Sequence, residues 1–93
     1  MGRSVFEYHD EQMRDNPEYK AAYDALEQEF TIANALIKAR SEAGMTQKDV
    51  AEKLGVSQPA VARMESGKNI SIKAIARYAK AVGRPINVSI LPA

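Results

Sequence analysis

The stretch TQKDVAEKLGVSQPAVARMESGKN, residues 46–69, decides the fold of this 93-residue chain. Two short helices are predicted within it, at 47–54 and 58–66, because a capping Thr or Ser precedes each one and a glycine follows it. Gly55 stands at the turn between them, where a residue that tolerates a positive φ is needed. This arrangement predicts a helix-turn-helix.

The spacing of small and apolar residues supports this prediction. When Gln47 is counted as the first position, the fifth is Ala51, where two helices that cross at a steep angle leave no room for a large side chain. The fourth, eighth, tenth, fifteenth and eighteenth positions should face the interior, and they are Val50, Leu54, Val56, Val61 and Met64. One alternative is a plain helical bundle whose short helices happen to fit this spacing. Another is an interaction module in which the helix-turn-helix frame has lost its role in DNA binding.

A long amphipathic helix is predicted before the motif. Asn16 and Pro17 form a helix start, and apolar residues then recur at steps of three and four. Gly44 ends this helix, and the poorer helix formers at 30–32 mark the place where it would break. The first fifteen residues are polar and mostly acidic without a sustained period, which favours a mobile arm.

A further helix and a strand are predicted after the motif. Ser71 caps a helix that extends to Val82, with one apolar face and one basic face. The apolar residues are Ile72, Ile75, Ala76, Ala79 and Val82, and the basic residues are Lys73, Arg77 and Lys80. Beyond residue 84 the period changes to two: Ile86, Val88 and Ile90 alternate with polar residues, as in a β-strand.

Charge is divided unevenly along the chain, although the formal net charge is only +1. Residues 1–45 carry a net charge of −4, whereas residues 46–93 carry +5. Such asymmetry indicates two surfaces with different partners. We therefore expect three segments: an acidic amphipathic arm or helix at 1–29, a DNA-binding domain at 30–83 and a dimerisation strand at 84–93.

Several classes of protein are excluded by what the sequence lacks. Without cysteine there is no disulfide framework, thiol nucleophile or zinc ribbon. The first residues contain no continuous apolar stretch, so neither a signal peptide nor a membrane span is expected, and a cytoplasmic location is predicted. His9 is the only histidine, and the carboxylates form no recognisable catalytic group, so we expect no enzyme, no metal and no cofactor.

The second helix of a helix-turn-helix lies in the major groove, with its first residues at the base edges. The residues expected to contact bases are Gln58, Pro59, Ala60 and Arg63. Gln and Arg bind adenine and guanine bidentately, while Pro and Ala offer apolar contact to a thymine methyl group. The alternatives are a hydrogen bond at the helix start for Gln58, and a phosphate contact or an intrahelical ion pair for Arg63.

Phosphate contacts are expected at the starts of the two helices and in the loop after the second one, because helix N-termini and basic side chains attract phosphate. The candidates are Thr46, Gln47, Lys48, Ser57, Lys68 and Asn69. Lys73 or Arg77 would extend this track, or else belong to an ordinary solvated face.

The frame T-Q-x-x-x-A-x-x-x-G-V-S-Q-x-x-x-x-R-x-E-x-G-K resembles the XRE (Cro/C1 repressor-like) family. The resemblance implies an all-α, lambda-repressor-like helix-turn-helix bundle, here with a long N-terminal helix and one short C-terminal β-strand. NPEYKAAYDALEQEFTIANALIKARSEAGMTQ at 16–47 and PINVSILP at 85–92 resemble HigA-type antitoxins of this class. That likeness implies a protein that neutralises a RelE/HigB-like mRNA-cleaving toxin and represses its own operon. Pro59 departs from the polar residue common in phage repressors.

The acidic arm gives this resemblance a physical counterpart. A toxin that cleaves RNA presents a positive surface, for which an acidic amphipathic segment with aromatic anchors is a suitable competitor. The candidate toxin-binding residues are Phe6, Tyr8, Tyr19, Tyr23, Leu26 and Glu27. The alternative is that these aromatic and apolar residues pack on the core of the domain.

The C-terminal strand needs a second strand, because an isolated strand leaves its backbone groups unpaired. The expected mate is the same strand of a second copy, which would pair Ile86, Val88 and Ile90 across a two-fold axis. The other candidate mate is a strand of the toxin. A dimer would place two recognition helices about 34 Å apart on a palindromic operator. The competing function is a phage-type or housekeeping repressor without a toxin.

Overall fold

The computed structural model of the chain describes residues 5–92, which form five α-helices. Their bounds are α1 Val5–Asp15, α2 Pro17–Glu42, α3 Gln47–Leu54, α4 Gln58–Met64 and α5 Ile72–Ala81. Helix α3 packs against α4 and α5, α5 also packs against α2, and α1 packs against α2. The all-α class and the order of the predicted helices are confirmed.

Helix α2 runs for 26 residues without interruption. Its N-cap is Asn16, whose side-chain oxygen accepts a hydrogen bond from the Tyr19 N–H at 3.1 Å. The break expected at 30–32 does not occur; the Thr31 hydroxyl donates to the Glu27 carbonyl at 2.9 Å instead. The C-terminal part of α2, which reaches the core, therefore belongs to the same continuous helix as the acidic N-terminal part.

The hydrophobic core lies where α2 meets α3, α4 and α5. Its three largest fully buried side chains are Val50, Val61 and Tyr78. The other buried members are Leu36, Ala51, Ala81 and Val82, with Ile32, Ala39, Met45, Leu54, Met64, Ile70 and Ile75 packed around them. Full burial of a Val or Leu side chain is worth roughly 1.5–3 kcal/mol, so this cluster holds the four helices together.

Two sequence predictions about the core were wrong. Val56 is exposed rather than buried, because it lies in the turn between α3 and α4 and not on either helix. Ile72 is also exposed, and the buried face of α5 is centred on Tyr78. Periodicity did not reveal this, because a buried tyrosine depends on distant partners for its hydroxyl.

Gly67 sets α2 close to the loop that follows α4. Its φ is +72°, and a Cβ atom there would overlap the carbonyl oxygen of Glu29. The same Cβ would also lie only 3.2 Å from the backbone nitrogen of Ala33. The N-terminal half of α2 is thus joined to the helix-turn-helix by direct contact between backbones, which only a glycine permits.

The N-terminal residues are more ordered than the sequence indicated. Residues 5–15 form α1 and not a mobile arm, so that prediction was wrong for this segment. The His9 ring lies 4.5 Å from the Tyr23 ring, and Tyr8 meets Tyr19 edge to face with centroids 6.5 Å apart. These contacts hold α1 on α2. Residues 1–4 of the predicted arm and residue 93 of the predicted strand segment lie outside the described residues.

The predicted C-terminal strand is not present in the described part of the chain. Residues 84–92 have no regular secondary structure, and Ile86, Val88 and Ile90 are exposed. A strand requires a neighbour for its N–H and C=O groups, and residues 5–92 of one copy supply none. Val88 and Ser89 lie beside α2 instead, where they line a shallow groove with Ile32.

Candidate nucleic-acid interface

Helix α4 is capped by Ser57, whose hydroxyl oxygen accepts a hydrogen bond from the Ala60 N–H at 3.2 Å. Pro59 fits the first turn because an N–H there would have no partner within the helix. The buried face of α4 is anchored by Val61. The four residues predicted to contact bases lie in the first two turns; Ala60 is half-buried, and the exposed ones are Gln58, Pro59 and Arg63.

Helix α3 begins with a reciprocal capping pair. The Thr46 N–H donates to the Asp49 carboxylate at 2.9 Å, and the Asp49 N–H donates to the Thr46 hydroxyl oxygen at 3.1 Å. These hydrogen bonds from Thr46 hold the pKa of Asp49 below its ordinary value. The capping pair thus fixes the first turn of α3, where phosphate contacts are predicted.

Gln47 connects the starts of the two helices. Its side-chain oxygen accepts a hydrogen bond from the Gln58 side chain at 3.5 Å, and its side-chain nitrogen donates to Glu65 at 3.3 Å. The first residue of α4 is therefore tied to the first residue of α3. Since Glu65 is buried, this short chain of hydrogen bonds links the exposed surface to the core.

Glu65 is the buried centre of a polar network. Arg40 donates to both of its carboxylate oxygens, from Nε at 3.0 Å to Oε2 and from Nη2 at 3.0 Å to Oε1. The Tyr78 hydroxyl lies 3.0 Å from Oε2 and 3.1 Å from the carbonyl oxygen of Leu36. The hydrogen bond to Glu65 raises the pKa of Arg40, and burial raises the pKa of Tyr78.

This network fixes the orientation of α4 relative to three other helices. Arg40 belongs to α2, Gln47 to α3 and Tyr78 to α5, and Glu65 is the C-cap residue of α4. Sequence reasoning placed Glu65 within the family frame but missed its burial. The available signal was its position four residues after Val61, which puts both on the inner face of α4.

The loop after α4 brings one predicted base contact and two predicted phosphate contacts together. The Ser66 hydroxyl donates to the Arg63 carbonyl at 2.6 Å and accepts from the Lys68 N–H at 3.3 Å. Asn69 has a φ of +51°, the conformation that Asn tolerates best among non-glycine residues. Arg63, Lys68 and Asn69 line one shallow concavity of about 250 Å³, which has Ser71 at its edge.

The predicted toxin-binding residues fall into two groups. Four of them line one apolar groove of about 340 Å³ on α2, which also includes Ala22 and Phe30; they are Tyr19, Tyr23, Leu26 and Glu27. We call it the α2 groove. Tyr8 lies beside it and contacts Tyr19, whereas Phe6 on α1 is separate and 82% exposed. Phe30, 61% exposed, also lines the groove, although the predicted toxin-binding set does not include it.

Two surveys of the described residues concern other kinds of site. Within residues 5–92, no three or more acidic or histidine side chains are grouped so as to hold a metal ion. Among the helices of this same range, none is both long enough and apolar enough to cross a membrane.

Two short capped helices, a left-handed turn between them and an exposed polar first turn on the second define a helix-turn-helix DNA-binding protein. A family model described as "Helix-turn-helix" matches residues 36–88, which is more than half of the chain. The chain therefore belongs to the XRE-type helix-turn-helix family, whose members are DNA-binding regulators and generally not enzymes. Comparisons with curated proteins and with solved structures gave no match.

Proposed function

We propose that this protein is a dimeric, sequence-specific DNA-binding antitoxin that neutralises a RelE/HigB-like mRNA-cleaving toxin and represses its own operon. The observation that carries the proposal is the α2 groove, an apolar surface left open next to a complete helix-turn-helix. None of the proposed DNA contacts uses this surface, and exposed apolar patches are typical of protein-binding sites. The sequence likeness to HigA-type antitoxins supports this choice of partner.

DNA recognition is assigned to the first turns of α4. Gln58 would read adenine and Arg63 guanine, each pair being worth about 1–3 kcal/mol of discrimination, with Pro59 and Ala60 in apolar contact. The contact between Gln47 and Gln58 supports this assignment because it restricts the Gln58 side chain before DNA arrives. The phosphate contacts are assigned to Thr46, Gln47, Lys48, Ser57, Lys68 and Asn69.

Dimerisation is assigned to the C-terminal segment. No backbone hydrogen bond joins residues 85–92 to any other part of the described chain, so their N–H and C=O groups are open to a second copy. Pairing two such segments would bury Ile86, Val88 and Ile90, and it would place the recognition helices about 34 Å apart. The operator is then expected to be palindromic.

Toxin binding is assigned to the α2 groove and its acidic surroundings. Residues 5–30 hold eight acidic side chains and two basic ones. Leu26 is 47% exposed, so its side chain and that of Phe30 offer apolar anchors within an acidic surface. A basic RNA-binding surface would be attracted by the charge and held by the apolar contacts.

The DNA part of the proposal is tested with operator variants. Arg63→Ala is expected to weaken operator binding about 10- to 100-fold and to relax the preference at one base position. Lys68→Ala is expected to weaken binding uniformly across sequences and to reduce the salt slope by about one. Equal losses on all sequences for Arg63→Ala would make it a phosphate contact.

The toxin part is tested by co-expression with the neighbouring gene product. We expect a small basic protein that co-purifies with the full chain and whose toxicity the chain suppresses. Deletion of residues 1–29 is expected to abolish suppression while operator binding persists. If no such neighbour exists, the chain is a repressor without a toxin and the antitoxin role is wrong. If suppression survives the deletion, the assignment of toxin binding to residues 1–29 is wrong.

A further inference from the structure

A second groove lies between α3 and α5, away from the α2 groove. It is shallow, with a volume of about 450 Å³, and it is lined by Lys53, Leu54, Arg77, Lys80 and Ala81. We call it the basic groove. Its three cationic side chains are exposed, and within residues 5–92 none of them forms an ion pair. It therefore has an apolar floor, made by Leu54 and Ala81, and an unneutralised positive rim.

The basic groove stands apart from the proposed DNA contacts. The DNA contacts assigned to α3 and α4 lie at the first residues of these helices, whereas Lys53 is in the last turn of α3 and Lys80 in the last turn of α5. A phosphate backbone supplies negative charge but no apolar group for the floor of the groove. The chemistry instead fits an acidic helix that carries an exposed hydrophobic side chain.

Helix α1 of this same chain has that chemistry on its outer face. Phe6 and Asp10 are four residues apart, so they project from the same side of α1, and both are exposed. His9, Gln12 and Met13 are less exposed, and His9 contacts Tyr19 and Tyr23 of α2. The packing of α1 on α2 thus leaves a phenyl ring and a carboxylate presented together to solvent.

A folded α1 cannot reach the basic groove of its own copy. The α1–α2 ring contacts involve Tyr19 and Tyr23, near the beginning of α2, whose 26 residues span about 39 Å. The basic groove lies near the other end of α2, since Arg84, just after α5, lies 3.5 Å from Glu42. Helix α1 itself is about 16 Å long, so only the α1 of another copy fits.

We propose that the basic groove binds the outer face of helix α1 from a second copy of this chain. Phe6 would cover the apolar floor, and Asp10 would lie among the three cations of the rim. The contact is head to tail, so it does not close after two copies. It can therefore link further copies to the dimer proposed for the C-terminal segments. This inference goes beyond the proposed function and requires no toxin.

The test is the self-association of the full-length chain, measured by sedimentation equilibrium at about 50 mM and about 500 mM salt, where screening differs strongly. The groove variant is Lys53→Glu with Lys80→Glu, and the arm variant is Phe6→Ala with Asp10→Lys. The matched control for the groove variant is Lys20→Glu with Lys38→Glu, which makes the same change in net charge at exposed positions of α2.

At low salt we expect the wild type and the control to form assemblies larger than the dimer proposed for the C-terminal segments. High salt should suppress these larger assemblies. Each test variant should associate roughly tenfold more weakly, because attraction at the rim is replaced by repulsion. An equimolar mixture of the two test variants should regain a pairwise contact, since each supplies the half that the other lacks. Recovery in the mixture also shows that both variants are folded.

Three results would overturn the inference. The first is a wild type whose mass does not depend on salt. The second is association that survives in the groove variant or fails to recover in the mixture. The third is a groove variant that loses affinity for non-specific DNA while its self-association is unchanged, which would make the basic groove a DNA surface. Each of these leaves co-purification with a toxin, and hence the proposed function, separately testable.

Discussion

The two ends of helix α2 lie in very different environments. Around its C-terminal half, Val50, Val61 and Tyr78 are completely buried, and the charge of Glu65 is matched by Arg40. Towards its N-terminal half, Leu26 is 47% and Phe30 61% exposed, beside carboxylates such as Asp24 that form no ion pair within residues 5–92. One continuous helix thus joins the buried core, whose charged groups are paired, to a surface on which large apolar side chains are exposed.

This difference indicates where the free energy of folding comes from and where binding is to be expected. At the helix-turn-helix end the buried core and the polar network around Glu65 fix α4 relative to α2, α3 and α5. The N-terminal end gains little from folding alone and leaves an apolar surface for a partner. The predictions below test this contrast, beginning with the largest expected effect.

Loss of Arg40 should cause the largest loss of stability, because it breaks the buried network around Glu65. Arg40→Ala leaves the Glu65 carboxylate buried without its cation, which is expected to lower the free energy of unfolding by about 3–5 kcal/mol. Urea denaturation followed by circular dichroism measures this. The control is Lys38→Ala on the same helix, where the exposed pair with Glu42 at 3.9 Å should contribute less than about 0.5 kcal/mol. Equal effects of the two substitutions would show that the buried network does not stabilise the fold.

Replacement of Gly67 should weaken the contact between α2 and the loop after α4. Gly67→Ala adds both a strained φ and an overlap with the Glu29 carbonyl, and we expect a loss of about 2–3 kcal/mol. Gly55→Ala has nearly the same φ, +69°, but nothing within 4 Å of the added atom, so it should lose only about 1 kcal/mol. Thermal unfolding of both variants gives the difference. Identical losses would mean that α2 does not press on the loop after α4.

High pH should destabilise the hydrophobic core through ionisation of the buried Tyr78 phenol. Burial raises the pKa of Tyr78 in the folded chain, whereas the unfolded phenol ionises near its ordinary value of 10.0. Stability from this group is therefore complete below pH 10 and falls as the pH rises above it, by up to about 1.4 kcal/mol per pH unit. Tyr78→Phe should show a shallower decline above pH 10 in urea titrations. A decline as steep as that of the wild type would exclude Tyr78 as its source.

Substitution in the α2 groove should have the smallest effect on folding. The double variant Leu26→Ala with Phe30→Ala removes side chains that are already largely in water, and a change below about 1 kcal/mol is expected. The melting temperature of the full-length chain tests this. A loss as large as that of Arg40→Ala would show that these residues belong to the core and offer no free surface.

Local signals predicted the helices well, and non-local partners explain what was missed. The start of α3 at Gln47 follows from Thr46, which caps it with bonds to a residue only three positions away. The burial of Glu65 depends on Arg40, 25 residues earlier, and on Tyr78, 13 residues later. Its spacing from Val61 indicates the inner face of α4, but no periodicity within one helix contains those partners, so the polar network around Glu65 could not be predicted from the sequence.

The N-terminal and C-terminal segments show the same limit. Helix α1 was not predicted because its support comes from ring contacts of His9 with Tyr19 and Tyr23, across the turn at Asn16. The alternation of Ile86, Val88 and Ile90 predicted a strand, yet residues 5–92 of one copy contain no strand with which it could pair. A sequence pattern indicates the secondary structure that a segment favours. Whether the segment adopts that structure depends on a packing or hydrogen-bonding partner elsewhere in the molecule.

The most direct measurement compares two activities of one variant, the full-length chain with Leu26→Ala and Phe30→Ala. Operator affinity and inhibition of the co-encoded toxin are measured on the same preparation. We predict an operator Kd within about twofold of the wild type and toxin inhibition weakened at least about tenfold, as expected when two apolar anchors are lost. Unchanged toxin inhibition would contradict the assignment of toxin binding to the α2 groove. A parallel loss of both activities would contradict the separation of DNA binding, at the helix-turn-helix, from toxin binding, at the α2 groove.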